Sequence, residues 1–203
     1  GKMEDIQIIK KEIKNFFILK KNIKGKKILI TAGPTIEPID PVRYLSNFSS
    51  GKQGYEIANC AYTYGAETIL ITGPTNIEAP EVNKIIKVES AEQMFNESMN
   101  ICKKYGSIDI AFLTAAVSDW KINKTEKKYK KNENIFKQIK FTENKDILHM
   151  ISNLRKSRPK IVCGFAAETS SLINNARKKL INKNCDFIFA NKISNKFNPM
   201  GND

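Results

Sequence analysis

The sequence predicts an α/β protein with a Rossmann-like, three-layer αβα architecture around a mostly parallel sheet. Short apolar runs such as Ile69-Leu70-Ile71 alternate from residue 27 onwards with segments of helical periodicity. Strands that are apolar throughout are typical of parallel sheets covered by helices on both faces. The length of 203 residues suits a single domain with a sizeable core.

The strands are predicted at residues 27–32, 67–72, 84–88, 109–114, 160–165 and 185–190, and the helices at residues 52–64, 91–104, 145–156 and 170–183. Ser90-Ala91-Glu92-Gln93 fits a capping box, in which the Ser hydroxyl and the Gln side chain satisfy free N–H groups at the helix start. Gly65 and Gly106 are predicted to end the helices that precede them.

Two segments depart from this alternation. Residues 1–26 carry apolar side chains at helical spacing, which predicts an N-terminal helix or linker before the domain at residues 27–203. Residues 135–141 alternate apolar and polar positions with period two, which predicts a half-buried strand. We therefore expect a small β excursion around residues 121–145, as a hairpin, a flap or a dimer contact.

The net charge of +13 is concentrated in two segments. Residues 1–27 and 121–145 each carry nine lysines against three acidic residues, a net +6 each, so the rest of the chain is close to neutral. Solvated lysines explain this distribution better than general nucleic-acid binding, which stays an alternative. No apolar run could cross a bilayer and no signal peptide is visible, so we expect a cytoplasmic protein with no nucleic-acid or membrane partner.

Cysteine and histidine usage indicates no metal centre. Cys60, Cys102, Cys163 and Cys185 lack metal-ligand spacing and are predicted to be buried, reduced thiols. The single histidine, His149, is predicted at a surface or half-buried helix position rather than at a catalytic site.

The segment from Gly33 to Gly54 is far longer than the roughly 2–6 residues that usually join a strand to a helix. Ligands of open α/β sheets bind outside the carboxyl ends of the strands. Residues 115–119, residues 165–169 and Asn191 also follow predicted strands. We therefore expect four loops to converge on one edge of the sheet.

Residues 49–54, Ser-Ser-Gly-Lys-Gln-Gly, have the parts of an anion-binding helix start, because small residues allow close backbone approach and the helix dipole favours negative charge. They do not form a Walker P-loop, which needs Gly at position 46 and Ser or Thr at position 53, where this chain has Ser46 and Gln53. The alternative is a well-capped helix without a ligand.

Three further candidates each have a structural alternative. Asn47 could orient a carbonyl or stabilise an oxyanion, or it could serve only the turn. Asp119 could accept from a hydroxyl or amino group, help to hold a metal, or cap a helix. Lys128 and Lys130 could meet a triphosphate or belong to a solvated loop.

Six motifs in order make the chain resemble the phosphopantothenoylcysteine synthetase family of coenzyme A biosynthesis. The motifs are Ile30-Thr31-Ala32-Gly33-Pro34-Thr35, Glu37-Pro38-Ile39-Asp40-Pro41-Val42-Arg43, Ser46-Asn47-Phe48-Ser49-Ser50-Gly51-Lys52, Ala115-Ala116-Val117-Ser118-Asp119, Gly164-Phe165-Ala166-Ala167-Glu168-Thr169 and Ala190-Asn191. The resemblance implies a Rossmann-like ligase that activates 4′-phosphopantothenate to an acyl-nucleotide, releases pyrophosphate, and joins the acyl group to the amine of cysteine.

The resemblance also implies the co-substrate and the site. Lys128-Tyr129-Lys130 resembles the bacterial pattern, which implies CTP rather than ATP, with Mg²⁺ bridging phosphates and no protein metal ligands. Asn47 matches the catalytic Asn that contacts the activated acyl group, and Ala115 and Ala116 match substrate-binding positions. The nucleotide-binding positions implied by the resemblance are Gly33, Ser49, Gly51, Gly54, Asp119, Lys128, Phe165, Lys179, Lys183 and Asn191.

The family further implies partners and boundaries. A homodimer through residues 121–145 is expected, as is a flavin-dependent decarboxylase, fused or separate, to which residues 1–26 would connect. Family members continue beyond Asp203, so we expect a truncated C-terminal end. The runner-up, a nicotinamide-dependent oxidoreductase, predicts an acidic residue after the second strand. The chain has Thr72-Gly73-Pro74 there, which counts against that alternative.

Overall fold

The structure is a computed structural model that describes residues 23–130 and 139–193. Most of the predicted N-terminal helix therefore lies outside the described residues, and residues 23–25 form a bend and a turn. The predicted strand at residues 135–141 also lies mostly outside them.

A six-stranded, fully parallel sheet confirms the predicted fold class. Its strands are β1 (Lys27–Ala32), β4 (Glu67–Thr72), β5 (Lys84–Lys87), β6 (Ile110–Leu113), β9 (Ile161–Glu168) and β10 (Phe187–Lys192), in the order β10-β9-β6-β1-β4-β5. The described helices are α1 (Lys52–Thr63), α2 (Ala91–Tyr105), α3 (Ile147–Ser152) and α4 (Leu172–Lys183). Two small antiparallel hairpins complete the described elements: β2 (Ile36–Asp40) with β3 (Arg43–Ser46), and β7 (Trp120–Ile122) with β8 (Phe141–Glu143).

The core consists of two apolar clusters, one on each face of the sheet. Successive side chains of a strand point to opposite faces, so Ile28 and Ile30 pack with α1 while Leu29 packs with α2 and α3. Leu180 and Ile188 pack against the cluster that contains Leu29. The apolar runs of β1 and β4 are thus buried on both sides, whereas the edge strands β5 and β10 stay partly exposed.

The α2 boundaries follow the predicted chemistry. Ser90 Oγ accepts a hydrogen bond from the Gln93 N–H at 3.2 Å, and the Gln93 side chain accepts from Ser90 N, which confirms the capping box. Gly106 follows the helix with a φ of 61°. By contrast, the predicted helix at residues 145–156 is wrong in its extent, because Asp146 caps α3 at one end and the Asn153 side chain binds the His149 carbonyl at the other.

The prediction that all four cysteine thiols are buried is only partly confirmed. Cys102, Cys163 and Cys185 are buried, and burial raises the pKa of Cys102 and of Cys163 to about 11. Cys60 is exposed, so the prediction of a buried thiol is wrong there: residue 60 lies on the outward side of α1, beside exposed Asn59. Among the described residues, no helix is long and apolar enough to cross a membrane.

Candidate active site

The long first loop contains the β2–β3 hairpin, which the sequence analysis did not predict. The hairpin is fastened to the loop after β6, because Ser118 N donates to Thr35 Oγ1 at 2.9 Å and Ala116 N donates to the Gly33 carbonyl at 2.9 Å. Ser46 Oγ donates to the Thr35 carbonyl at 2.8 Å. Two of the expected loops therefore meet as one hydrogen-bonded unit.

The glycines at the start of α1 permit close packing. Gly33 and Gly51 have φ angles of 72° and 79°, which favour glycine, and a Cβ on either would lie 2.9 or 2.6 Å from Thr75 Cγ2. A Cβ on Gly54 would lie 2.5 Å from both the Ala32 Cβ and the Thr114 Oγ1. Packing alone thus requires glycine at these positions, whatever ligand they also meet.

The α1 N-terminus carries hydroxyl groups beside its first N–H groups. Gly51 is the N-cap residue and makes no side-chain cap bond, but Ser49 Oγ accepts from Gly51 N at 3.2 Å. Asn191 Nδ2 donates to the Gln53 side chain at 3.2 Å, which brings the end of β10 to this helix start. The helix dipole adds positive potential there. This arrangement has the chemistry of an anion site.

A second region is a cavity of about 480 Å³ beyond the carboxyl ends of β1, β6 and β9. It brings together five of the predicted site residues, namely Ala115, Asp119, Phe165, Lys179 and Lys183. Phe165 lies inside β9 rather than in the following loop, because this strand continues to Glu168 instead of ending at residue 165 as predicted.

Two α4 lysines supply cationic groups to this cavity. Lys179 Nζ donates to the Phe165 carbonyl at 2.7 Å, and Lys183 forms an ion pair with Asp146. Burial raises the pKa of Asp146, but the hydrogen bond from His149 N and the Lys183 ammonium group outweigh it, so the pKa lies below its usual range. The cavity therefore holds a balanced set of charges.

Asn47 links the two regions. Its Nδ2 donates to the Val117 carbonyl at 2.9 Å, and Val117 lines the cavity. Asn47 also precedes the hydroxyl-bearing start of α1 by a few residues. The predicted catalytic amide is thus placed between the helix terminus and the cavity that holds Asp119.

Two predicted residues lie elsewhere. Lys128 is not among the residues that line the cavity; its neighbour Tyr129 is held at the β2–β3 hairpin, donating to Asp40 Oδ2 at 3.2 Å and accepting from Arg43 at 3.3 Å. Ala116 forms a backbone bridge with Pro34 instead of lining the cavity.

The cavity is also lined by side chains that were not predicted as site residues, among them Trp120, Glu143, Asn144, Lys145 and Asp146. Asp146 had a detectable signal, because it is an Asp directly before an apolar helical segment. Trp120, the only tryptophan of the chain, directly follows Asp119. Asn144 had no local signal, since its position depends on contacts with residues distant in sequence.

The fold and these two neighbouring regions define a Rossmann-like α/β protein with a polar cavity at the carboxyl ends of its strands. The family model described as the DNA/pantothenate metabolism flavoprotein C-terminal domain matches residues 23–203. The chain belongs to this family.

Similar proteins agree with this assignment. The chain is 43% identical over 195 residues to the coenzyme A biosynthesis bifunctional protein CoaBC of Borreliella burgdorferi, covering 95% of this chain and 49% of that protein. CoaBC of Haemophilus influenzae is 40% identical, with 96% and 48% covered. The chain thus spans about half the length of these relatives.

Solved structures share the fold. The crystal structure of the C-terminal domain of CoaBC aligns with a TM-score of 0.69 at 38% identity, covering 82% of this chain and 76% of that one. A Cab2 mutant in complex with phosphopantothenate-cysteine aligns with a TM-score of 0.68, covering 95% and 81%; its identity of 18% supports the fold alone.

Proposed function

We propose that the chain is a phosphopantothenate–cysteine ligase of coenzyme A biosynthesis, which activates 4′-phosphopantothenate with CTP and then joins it to cysteine. The observation that carries this proposal is the Asn47–Val117 hydrogen bond, which joins an amide near the hydroxyl-bearing start of α1 to a cavity with cationic groups. The 43% identity to a coenzyme A biosynthesis protein over 95% of this chain supports it.

The reaction assigns a role to each region. In the first step a carboxylate oxygen of 4′-phosphopantothenate attacks the α-phosphorus of CTP, and pyrophosphate leaves. We assign Lys179 and Lys183 to the phosphates, where cations stabilise the developing negative charge. Lys128 does not line the cavity, so its assignment to the phosphates rests on the family resemblance alone. Asp119 would accept from a ribose hydroxyl or help to hold Mg²⁺.

We assign the remaining nucleotide contacts to Gly33, Ser49, Gly51, Gly54, Phe165 and Asn191, and the substrate contacts to Asn47, Ala115 and Ala116. In the second step the cysteine amine attacks the acyl carbon. A proton leaves the nitrogen, and the bond to CMP breaks. Asn47 Nδ2 would donate to the acyl oxygen as it gains negative charge.

Mg²⁺, when bound, would neutralise phosphate charge. Among the described residues, no group of three or more His, Cys, Asp or Glu side chains could hold a metal ion. Asp119 and Asp146 both line the cavity, but Asp146 is paired with Lys183. The donor set therefore fits an ion that is held mainly by the nucleotide phosphates, with Asp119 and Glu143 as the cavity carboxylates outside the Lys183 ion pair.

Pyrophosphate release tests the proposed reaction. We expect release only when a nucleoside triphosphate, Mg²⁺ and 4′-phosphopantothenate are all present, because the carboxylate is the nucleophile of the first step. CTP should support faster release than ATP, the alternative co-substrate. A coupled assay measures the release, with reactions that lack 4′-phosphopantothenate or cysteine as controls. A folded protein that releases no pyrophosphate in the complete mixture contradicts the proposal.

We also propose a homodimer through residues 121–145. Phe141 of β8 is 56% exposed, and Tyr44 of the adjacent hairpin is 60% exposed. Exposed apolar groups on neighbouring hairpins are typical of an interaction surface. A cytoplasmic location and a flavin-dependent decarboxylase, fused as in the bifunctional relatives or separate, complete the proposal.

Light scattering after size-exclusion chromatography tests the dimer. We expect a dimeric mass for the chain and a monomeric mass for Phe141→Asp, because a buried, unpaired carboxylate would oppose association. Ile181→Asp is the matched control, since Ile181 is also exposed but lies on α4. A monomeric wild-type chain at micromolar concentration contradicts the proposed dimer.

A further inference from the structure

We propose that Glu37 is a positioning residue, which fixes the Asp119 end of the cavity through Asn144. The inference rests on the proposed function only in that Asp119 is taken to meet the nucleotide. Glu37 itself does not line the cavity. Its role would be to fix the position of the chain segment that carries Asp119.

The Glu37 carboxylate is buried beside two hydrogen-bond donors. The residue is 4% exposed, on β2. Its Oε1 accepts from the Ala91 N–H at 2.8 Å, at the first turn of α2. Burial raises the pKa of Glu37, and hydrogen bonds from Ala91 N and the Asn144 side chain oppose this rise without cancelling it. A carboxylate at a position where burial disfavours its charge needs an explanation.

Asn144 transmits the position of Glu37 to the cavity wall. Its Nδ2 donates to the Ser118 carbonyl at 2.9 Å, and its main-chain N–H donates to the Asp119 carbonyl at 2.8 Å. One residue therefore holds two consecutive carbonyls of the segment that presents Asp119. Asn144, Ser118 and Asp119 all line the cavity.

The same segment is fixed from a second side. Ser118 N donates to Thr35 Oγ1 at 2.9 Å, and Ser118 Oγ donates to the Trp120 carbonyl at 2.7 Å. Thr35 directly precedes β2, the strand that carries Glu37. The segment that enters the β2–β3 hairpin therefore fixes residues 118–120 in two ways. Thr35 bonds Ser118 directly, and Glu37 acts on the same residues through Asn144.

A carboxylate suits this position better than an amide. Both oxygens of Glu37 can accept at the same time, one from Ala91 N and one from the Asn144 amide. A glutamine can keep the Ala91 bond, but its NH₂ group would then face the NH₂ group of Asn144. If Asn144 rotated its amide to accept instead, it would lose its bond to the Ser118 carbonyl. Either outcome loosens the turn that carries Asp119.

Glu37→Gln tests the inference in the full chain through two readouts. Trp120, the only tryptophan, directly follows Asp119 at the start of β7. Its fluorescence therefore reports on the position of this segment without any ligand. We expect acrylamide to quench Trp120 more strongly in the variant than in the wild type. We also expect the apparent KM for CTP to rise about tenfold, since small misplacements of site groups cost one to two orders of magnitude. The KM for 4′-phosphopantothenate should change less than about twofold on the same argument.

Two further variants separate positioning from general stability. Asn144→Ala should reproduce both effects, and the double variant should be no worse than either single one, because both act through one contact chain. Asp109→Asn is the matched control: this carboxylate accepts from Lys27 N and Lys160 Nζ away from the cavity. It should lower the unfolding temperature without changing Trp120 quenching or the KM for CTP.

The outcomes are distinguishable. Unchanged Trp120 quenching in Glu37→Gln, or equal effects in Asp109→Asn, overturns the inference; if Glu37→Gln does not fold, the same two results with Asn144→Ala decide it. If quenching increases as expected but the wild type shows no CTP-dependent fluorescence or pyrophosphate release, the positioning of the turn stands and the proposed function fails.

Discussion

Replacing Asn47 by alanine is expected to slow amide formation by about 100-fold, the usual effect of removing one oxyanion donor. Pyrophosphate release in the first turnover should continue, because the phosphates would be met by the lysines and the α1 terminus rather than by this amide. The acyl-cytidylate should therefore accumulate. Asn47→Asp should behave similarly, since it keeps the size of the side chain but loses the Nδ2 donor that now bonds the Val117 carbonyl.

Rapid quenching followed by chromatography measures the acyl-nucleotide and the product in the same sample. Asn59→Ala is a suitable control, because Asn59 is an exposed amide on α1, outside both candidate regions. An Asn47 variant that folds but releases no pyrophosphate at all contradicts the assigned role, because activation would then depend on this residue.

The largest effect on stability is expected for Gly73→Ala. A Cβ at this position would lie 1.7 Å from the Pro34 carbonyl oxygen, a backbone atom that cannot rotate away. Gly73 N also donates to the Ala32 carbonyl at 3.0 Å, which fixes the approach of the two segments. Overpacking of this kind costs about 3 kcal/mol or more when the backbone itself must move.

Urea unfolding followed by circular dichroism measures this cost. Gly106→Ala is the matched control, because no atom lies within 4 Å of its would-be Cβ and only the left-handed φ of 61° opposes the substitution. We expect a loss of about 1 kcal/mol there. Equal losses in the two variants would mean that the Pro34 contact relaxes easily.

The sheet was predictable because its signal is local. β1 and β4 contain the apolar runs Ile28-Leu29-Ile30 and Ile69-Leu70-Ile71, and burial on both faces is the physical cause of that pattern. The β2–β3 hairpin was not predictable in the same way. Pro38 and Pro41 weaken any strand signal, and the hairpin is held by partners distant in sequence, such as Ser118.

Residues of the candidate site could be predicted from the sequence only where they belong to a contiguous motif. Asp119 follows a predicted strand end, and Asn47 precedes the predicted helix start in the long loop after the first strand, so topology pointed to both loops. Lys179 and Lys183 were identified through family resemblance, because α4 has no fully buried residue and its charges resemble solvated surface. Asn144 joins the site through tertiary contacts, which a single sequence does not display.

The ion pair between Lys183 and Asp146 has a consequence for how the cavity treats anions. An incoming phosphate does not meet a bare ammonium group at this position; it must exchange with a carboxylate that is already there. The electrostatic free energy gained is the difference between pairing Lys183 with the phosphate and pairing it with Asp146. Charge alone therefore contributes little to which ligand binds. A ligand with several connected anionic groups can engage Lys179 at the same time, and Lys179 is hydrogen-bonded to a carbonyl rather than paired with an acid. Under the proposed function, this pairing would favour a polyphosphate over a single small anion.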